Sequence, residues 1–396
     1  MLKNVKRVAI ICGYSFPEGL APSTRVLTYA KGLSENGVEV SIYVYFPTDR
    51  NPSRFSVDGS IDGVSYHYPN TRQYPENLIL RKLCHFYYMF ITVKKYYLRH
   101  KIENYNITII SSDWFRILYF FIPILNFLNT KIVFIADEYP VPIRVRLKNK
   151  LPKWRKVLFR IILNRVDGMI FMTNNLKEFF NTIVLKPSFV LPSITDLSRF
   201  SERTIIRKDL PKYICYMGNM ELSKDNVDNI IEAFNLIKNK YIDFQLHLYG
   251  APNSKDLKII NQLITKYNLS ERVFLKGVIS NKKVSLVLSE SILLVSSQPD
   301  TKRAHGGFPT KLGEYMATGV PMLVTDVGEI SKYVTHGLNG WLAKPENPID
   351  YAMKMEFIFD NYTEALNVAA NGKKYVYENF DSNLVTKEMI FFFNNL

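Results

Sequence analysis

The chain has 396 residues, of which 47% are hydrophobic and 22% are charged. This composition excludes a disordered or low-complexity protein, and the length predicts two domains, each with its own core. Residues 1–200 carry 28 Lys and Arg against 14 Asp and Glu, whereas residues 201–396 carry 23 against 22. The first half is therefore strongly basic, which predicts a polyanionic partner for it.

The cysteines and the apolar runs indicate where the protein works. Cys12, Cys84 and Cys215 lie far apart, without paired or metal-like spacing, as is typical of a reducing compartment. The longest apolar run, ILYFFIPILNFL, is shorter than the ~20 residues of a membrane-spanning helix and contains Pro123. The sequence therefore predicts a cytoplasmic protein without a transmembrane helix.

Two similar stretches of the chain each begin with an apolar run that meets a glycine. The first run is RVAIICG, followed by a helix pattern over residues 23–36 and the strand VEVSIYVYF. The second run is YICYMGN, followed by a helix pattern over residues 227–238 and the strand FQLHLYG. Strands that alternate with helices are typical of parallel sheets covered on both faces. The predicted fold class is therefore α/β, with a doubly wound architecture that starts twice.

A proline-containing segment with weak periodicity, residues 186–212, separates the two stretches. We therefore predict an N-terminal domain over residues 1–190 and a C-terminal domain over residues 191–378. The last segment, residues 379–396, has helical apolar spacing and several phenylalanines. We predict that it forms a helix that packs across the domain junction.

Residues 78–101 and 144–165 combine basic and aromatic side chains. In the second stretch, Lys and Arg interleave with Trp154, Phe159 and other apolar residues. This pattern suits a helix that lies in the interface of an anionic membrane, although ordinary amphipathic helices with solvated basic faces would show it too. Nucleic acid is not expected as a partner, because no nucleic-acid-binding motif accompanies the charge.

Residues 305–321, HGGFPTKLGEYMATGVP, form the most informative motif of the chain. The pattern predicts a short helix with Thr310 as its N-cap, ended by Gly319 and Pro321 and followed by the strand MLVTD. The first N–H groups of a helix have no partner within it, and the positive end of the helix dipole favours an anion there. The helix start is therefore a candidate anion site.

Four residues around this helix start have a chemistry that suits a phosphorylated sugar. Gly306 and Gly307 leave the backbone open to a ligand, and Lys311 adds a cation. Glu314, one turn into the helix, can accept hydrogen bonds from the paired hydroxyls of a sugar. The alternative is a capped surface helix in which Glu314 only complements the helix dipole.

This motif and the segment YMGNMELSK resemble the retaining glycosyltransferases of family 4. The resemblance extends over nearly the whole chain and is strongest over residues 213–347. It implies the GT-B fold, in which two Rossmann-like domains face each other across a cleft, with a UDP- or GDP-linked sugar bound by the second domain. Glu314 matches the glutamate that contacts the ribose. The positions that match the rest of the family's donor site are Gly218, Lys224, Gly307, Phe308, Pro309, Thr310 and Lys311.

Two positions depart from the family pattern. Asn219 stands where the family usually has an arginine, and Gly306 stands where it usually has a glutamate that contacts the donor sugar. Losing a charged hydrogen bond costs about 1.5–3 kcal/mol, which weakens donor binding without excluding it. We expect Asn219 to lie in the donor site and His305, in the polar loop over residues 298–306, to supply the missing contact. The alternative for His305 is an exposed loop histidine.

In the first domain, Gly13 and the loop over residues 14–24 are expected to face the cleft. Arg25, at the start of the next helix, can reach an anionic acceptor or the donor diphosphate, or else it is a solvated arginine. Asp137 and Glu138 follow the strand KIVFIAD, where either carboxylate can orient the acceptor hydroxyl. Otherwise these two residues only form a turn.

Taken with the resemblance, the sequence predicts a hexosyltransferase-like enzyme that moves a sugar from a nucleotide-sugar to a glycan or lipid-linked acceptor with retention of configuration. The expected setting is cell-surface polysaccharide or glycolipid assembly at the inner face of the membrane, with peripheral attachment through the basic domain. Neither a metal nor another cofactor is expected. The alternatives are a catalytically degenerate binding subunit and a nucleotide-sugar epimerase of the same fold.

Overall fold

The computed structural model describes residues 5–19, 21–49, 55–112, 115–144, 150–191, 194–200 and 212–396. The chain forms two compact units, Met1–Ile194 with Ser382–Leu396 and Thr195–Asp381. The predicted domain boundaries, after residues 190 and 378, lie within a few residues of these divisions. The predicted loop 14–24 and segments 144–165 and 186–212 lie partly outside the described residues.

An eight-stranded sheet forms the centre of the first unit. Its strands are β1 (Arg7–Cys12), β2 (Glu39–Val44), β3 (Asp58–Ile61), β4 (Val64–His67), β5 (Ile107–Ser111), β6 (Lys131–Ala136), β7 (Gly168–Phe171) and β8 (Ser188–Val190). They lie in the order β3-β4-β2-β1-β5-β6-β7-β8, and each neighbouring pair is parallel apart from β3 and β4. The central strands are continuous apolar runs because both faces of a parallel sheet are covered.

Helices cover both faces of this sheet. The helices are α1 (Ala21–Glu35), α2 (Leu78–Glu103), α3 (Phe115–Leu125), α4 (Val141–Arg144), α5 (Lys153–Leu163) and α6 (Asn174–Asn181). One core cluster contains Met89 of α2, Phe121 of α3 and Phe159 of α5, so these three helices pack on the same face. A second cluster contains Leu33 of α1, which covers the opposite face.

A six-stranded, fully parallel sheet forms the centre of the second unit. Its strands are β9 (Tyr213–Met217), β10 (Gln245–Tyr249), β11 (Val273–Gly277), β12 (Leu293–Ser296), β13 (Met322–Thr325) and β14 (Trp341–Ala343). They lie in the order β11-β10-β9-β12-β13-β14. The helices of this unit are α7 (Leu222–Asp225), α8 (Val227–Ile237), α9 (Ser254–Lys266), α10 (Asn281–Ser289), α11 (Lys302–Gly306), α12 (Lys311–Thr318), α13 (Pro348–Asp360) and α14 (Tyr362–Asn379), with 3-10 turns at Leu197–Phe200 and Ile330–Lys332.

The last helix, α15 (Ser382–Asn394), belongs to the first unit and packs on α1. The side-chain amide of Asn36 donates to the carbonyl oxygen of Asn383 at 2.9 Å and to the hydroxyl of Thr386 at 3.0 Å. Met389 of α15 lies in the same core cluster as Leu33 of α1. The structure therefore confirms that the segment 379–396 forms a helix. Its predicted packing across the domain junction stays a prediction.

The structure confirms the α/β class and the repeated strand and helix order. In the parts of the chain given above, no helix combines the length and apolar character needed to cross a bilayer.

Candidate functional site

The helix of the sequence motif, α12, starts beside the carboxyl ends of β9, β12 and β13 in the second unit. Parallel doubly wound sheets bind ligands at this edge. The helix ends as predicted, since Gly319 is left-handed with φ of 75° and its N–H donates to the carbonyl of Met316. We name the surroundings of its first turn the α12 site.

Thr310 occupies the predicted N-cap position of α12, but it does not make the predicted capping hydrogen bond. Thr310 directly precedes the first helical residue, but its own backbone is helical, with φ of −55° and ψ of −28°, and its side chain makes no cap hydrogen bond. A capping side chain needs an extended backbone to reach the N–H groups of the first turn. The N–H of Leu312 donates instead to the carbonyl of Pro309 at 2.9 Å.

The polar loop predicted over residues 298–306 is wrong in its second half, which forms α11. Thr301 caps this helix by accepting a hydrogen bond from the N–H of Ala304 at 3.3 Å. Gly306 is its last residue, and the N–H of Gly307 donates to the carbonyl of Arg303. A Cβ on Gly307 would meet its nearest atom at 3.6 Å, an ordinary contact, so the protein itself does not require glycine there.

Lys311 is held by a buried acidic partner. Its Nζ atom lies 2.7 Å from Oδ1 of Asp225, and the two side chains are 17% and 5% exposed. The ammonium also lies 4.5 Å from the ring centroid of Tyr216, a cation-π distance. Burial raises the pKa of Tyr216 well above its usual value, so this ring stays a neutral phenol. The sequence analysis missed both partners, because they come from a different strand and helix.

Gly218 leaves the space that Lys311 occupies. A Cβ on Gly218 would lie 2.8 Å from Nζ of Lys311 and would overlap the hydroxyl of Tyr216. Gly250, with φ of 141°, packs directly against the carbonyl of Gly218, where a Cβ would overlap the oxygen. Glycine is therefore favoured at these two strand ends, which the sequence analysis did not predict.

Glu314 also has a cationic partner. Its Oε1 atom lies 2.6 Å from Nη1 of Arg199, which stands on the 3-10 turn Leu197–Phe200. The side chains are 20% exposed for Arg199 and 24% exposed for Glu314. The sequence analysis did not single out Arg199.

Asn219 and Arg303 both contact Glu221, which follows Asn219 by two residues. Nη1 of Arg303 lies 2.7 Å from Oε1 of Glu221, and the side-chain oxygen of Asn219 accepts from the N–H of Glu221 at 3.1 Å. Burial raises the pKa of Glu221, but the hydrogen bond from Arg303 and its charge bring the net pKa below the usual value. Lys224 lies half-buried on α7.

Two motif residues differ in what they offer to a ligand. The ring of Phe308 is buried against Tyr333, at a centroid distance of 5.0 Å, so only its backbone remains for a ligand. Pro309 lines a crevice, too narrow to admit a water molecule, together with Ser296 and Lys311. Within the described part of the chain, the buried hydroxyl of Ser296 has no hydrogen-bond partner.

Tyr315, which the sequence analysis missed, ties the strand ends of the site together. The N–H of Met217 donates to its hydroxyl at 3.0 Å, and the hydroxyl donates to the carbonyl of Val295 at 3.3 Å. This bridge joins β9 to β12 beneath the site.

His305 lies on α11 rather than in a loop. Its Nε2 atom is 2.5 Å from Oδ1 of Asp300, and both side chains are about half exposed. The contact predicted between His305 and a donor sugar stays a prediction.

The structure joins two first-unit candidates that the sequence treated separately. Nη1 of Arg25, in the second turn of α1, lies 2.8 Å from Oδ1 of Asp137, which follows β6. Burial opposes the charge of Arg25, but the carboxylate of Asp137, together with Tyr29, Tyr14 and Glu138, outweighs it, and the net pKa of Arg25 is raised. Arg25 is therefore a nearly buried ion-pair partner and not a solvated arginine. Glu138 lies next to this pair and is half-buried.

Gly13 is also required by its surroundings. It follows β1, and a Cβ there would overlap the ring of Tyr45. Across the described ranges, no group of three or more His, Cys, Asp or Glu side chains could hold a metal ion.

Solved structures resemble the whole chain. A sucrose-phosphate synthase from Thermosynechococcus elongatus superposes with a TM-score of 0.77 at 17% identity and covers 97% of each chain. HepE from Anabaena, solved in complex with UDP and glucose, superposes with a TM-score of 0.73 at 14% identity over 98% of this chain and 99% of its own. Together with the two parallel sheets, these likenesses show a GT-B fold.

One family model matches most of the second unit. Residues 199–375 match the family described as glycosyl transferases group 1. A Salmonella typhimurium protein named for colanic acid biosynthesis, the glycosyltransferase WcaL, is 24% identical over 198 residues, which cover 49% of this chain and 48% of that protein. Residues 199–375 of the second unit are therefore similar to the group 1 glycosyltransferases, and the chain spans about half the length of this curated relative.

Proposed function

We propose that this protein is a glycosyltransferase that moves a sugar from a UDP- or GDP-linked donor to a glycan or lipid-linked acceptor with retention of configuration. The observation that carries the proposal is the α12 site, where Lys311 and Glu314 lie one turn apart on one helix beside Gly218. Each of the two side chains already has a partner of opposite charge. A cation and a carboxylate at this spacing fit the diphosphate and the ribose of one nucleotide.

In this proposal, the donor diphosphate lies at the start of α12, near Lys311 and Lys224. The cations neutralise the charge that grows on the leaving phosphate during transfer, and no metal ion is proposed. HepE, a protein of the same fold, was solved with UDP and with glucose, which supports a nucleotide-sugar as the donor class. Because Lys311 is shared with Asp225, a diphosphate has to compete with that carboxylate for the ammonium.

For the first unit, we propose that Asp137 or Glu138 orients the acceptor hydroxyl. The ion pair with Arg25 fixes the carboxylate of Asp137. A fixed carboxylate can accept a hydrogen bond from an incoming hydroxyl while the leaving phosphate takes up its proton. The setting that we propose is cell-surface polysaccharide or glycolipid assembly, and the name of the Salmonella relative supports it.

The proposal includes attachment to an anionic membrane through the outer faces of α2 and α5, which we name the α2/α5 surface. Both helices pack on the same face of the first sheet, so their outer faces lie on the same side of the unit. Large apolar side chains are exposed on them, including Leu83 at 71%, Phe90 at 64% and Trp154 at 59%. The cations on these two helices are Arg81, Lys82, Lys94, Lys95, Arg99, Lys101, Lys153, Arg155, Lys156 and Arg160.

Apolar groups that can enter the headgroup region, next to cations that attract anionic lipid, suit an interfacial membrane site. Sedimentation with vesicles that contain phosphatidylglycerol should show binding that weakens as salt increases. Trp154→Ser should reduce this binding, whereas the exposed Phe357→Ser, in the second unit, should not. Absence of binding at every salt concentration would remove the membrane part of the proposal.

The donor is best tested by a thermal-shift screen of UDP- and GDP-sugars, followed by transfer assays in which NMR reports the anomeric configuration of the product. Glu314→Ala should weaken the binding of the stabilising nucleotide-sugar by roughly ten- to 150-fold. A hit that is insensitive to this substitution would contradict the ribose assignment. Binding without transfer or hydrolysis, with any acceptor extract, would favour the degenerate binding subunit.

A further inference from the structure

Arg199 is the charged group that reaches the proposed ribose contact from outside the motif. Its Nη1 atom donates to Oε1 of Glu314 at 2.6 Å, and its Nη2 atom lies 3.4 Å from the carbonyl of Asn281 on α10. The guanidinium thus links α12 to α10 through one planar group. In the described part of the chain, the other carboxylate oxygen of Glu314, Oε2, makes no hydrogen bond.

The backbone that carries Arg199 is fixed on both sides. The side chain of Asp196 accepts hydrogen bonds from the N–H of Ser198 at 3.1 Å and from its hydroxyl at 2.6 Å, which builds the 3-10 turn. Leu197 and Phe200, the first and last residues of the turn, are buried at 6% and 4% exposure. Arg199 therefore projects from an anchored turn and not from a flexible loop.

We propose that Arg199 is a positioning residue for ribose recognition, which holds Glu314 so that Oε2 faces the 2′-hydroxyl of a ribonucleoside diphosphate. The inference rests on the proposed function, because it assumes that Glu314 meets the ribose. A glutamate side chain has several rotatable bonds, and fixing it before the ligand binds removes that entropic cost from binding. The guanidinium donates to Oε1 and leaves lone pairs on both oxygens for hydroxyl donors.

This arrangement makes Arg199 a determinant of ribose over deoxyribose. If the fixed carboxylate of Glu314 accepts a hydrogen bond from the 2′-hydroxyl, a 2′-deoxy ligand leaves that carboxylate oxygen without a hydrogen-bond donor. If the carboxylate is free to rotate, it meets water instead, and the two ligands bind more equally. The predicted effect of removing Arg199 is therefore on the ratio of two affinities, which a general loss of stability does not change.

The test is calorimetric titration of the full chain with UDP and with 2′-deoxy-UDP, or with GDP and 2′-deoxy-GDP if the guanine nucleotide is the one that binds. Wild type should bind the ribose form roughly tenfold tighter or better, and Glu314→Gln should bring the ratio close to one. Arg199→Ala should reduce the ratio by about 3- to 10-fold, and Arg199→Lys, which keeps a donor, should retain more of it.

The control is Lys240→Ala, which removes a cation from an exposed ion pair with Asp360 in the same unit and should leave the ratio unchanged. If Arg199→Ala does not fold, Arg199→Gln replaces it, with the unfolding midpoint measured for each variant. If the Arg199 variants keep the wild-type ratio of ribose to deoxyribose affinity while Glu314→Gln lowers it to about one, the role of Arg199 is overturned and the ribose contact of Glu314 is not. A wild-type ratio in Glu314→Gln, or no binding of either ribonucleotide to the wild type, would overturn the proposed ribose contact and the inference with it.

Discussion

Replacing Asp225 with Asn tests whether the ion pair of the α12 site stabilises the second unit. Asp225 and Lys311 are joined at 2.7 Å and are 5% and 17% exposed. Asn keeps the shape of Asp but not its charge, so Lys311 becomes a largely buried cation without a carboxylate. Breaking a buried pair from one side costs about 3–5 kcal/mol. The residual exposure of Lys311 and the ring of Tyr216 beneath it reduce the expected loss to about 2–4 kcal/mol.

The assay is thermal unfolding followed by circular dichroism and calorimetry. In a unit of this size, 1 kcal/mol corresponds to roughly 2–4 °C, so the Tm should fall by about 4–16 °C. Asp360→Asn is the matched control, because Lys240 and Asp360 are also joined at 2.7 Å but are 49% and 48% exposed. Exposed pairs contribute little, so this variant should unfold like the wild type. Equal behaviour of the two variants would refute the reasoning.

The same substitution reports on the ligand. A nucleoside diphosphate can supply the negative charge that Asp225→Asn lacks, so UDP or GDP should raise the Tm of the variant more than that of the wild type. Both measurements use saturating nucleotide and the same protein concentration. An equal rise in the two proteins would indicate that Lys311 does not meet the phosphates.

Two further predictions concern the rim of the same site. Gly218→Ala should lower the free energy of unfolding in denaturant titration by about 1–3 kcal/mol, because its Cβ would crowd Lys311. The matched Gly307→Ala should have little effect, and similar losses would contradict this steric argument. Burial raises the pKa of Glu221, but the hydrogen bonds from Arg303 and Ser223 and the charges of Arg303 and Lys224 together bring it below its usual 4.5. A lowered pKa stabilises the fold above the usual pKa and loses that contribution as the pH falls through the folded-state pKa, so the Tm difference between wild type and Arg303→Gln should be present at about pH 6 and shrink as the pH falls below 4.5. A difference that is independent of pH would mean that Arg303 acts by packing alone.

The local sequence pattern of the motif predicted where α12 ends, but it predicted the wrong cap for that helix and missed the helix before it. The end of α12 at Gly319 follows from a left-handed residue that the chain itself specifies. The cap at Thr310 failed because the turn closed by the N–H of Leu312 on the carbonyl of Pro309 already gives Thr310 a helical backbone. The helix α11 was missed since five residues are too few for a periodic signal. The burial of the Phe308 ring likewise depends on Tyr333, a neighbour that only the folded chain provides.

The partners of the site residues lie far from them in the sequence. Asp225 is 86 residues from Lys311, and Arg199 is 115 residues from Glu314. Nothing in local spacing couples such positions, because their distance depends on strand order and on how each helix packs against the sheet. For the same reason, no local pattern indicated that Arg25 and Asp137 form one ion pair.

The sequence by itself determined the α/β class, the repeated order of strands and helices, and the end of α12 at Gly319, because burial periodicity and glycine positions are local properties of the chain. Only the tertiary structure decided which charges meet. Lys311, Glu314 and Arg25 looked like free ligand contacts in the sequence, and each is already paired in the folded protein. The physical reason is that a charge taken out of water needs a partner, and the fold selects that partner through sheet order and helix packing.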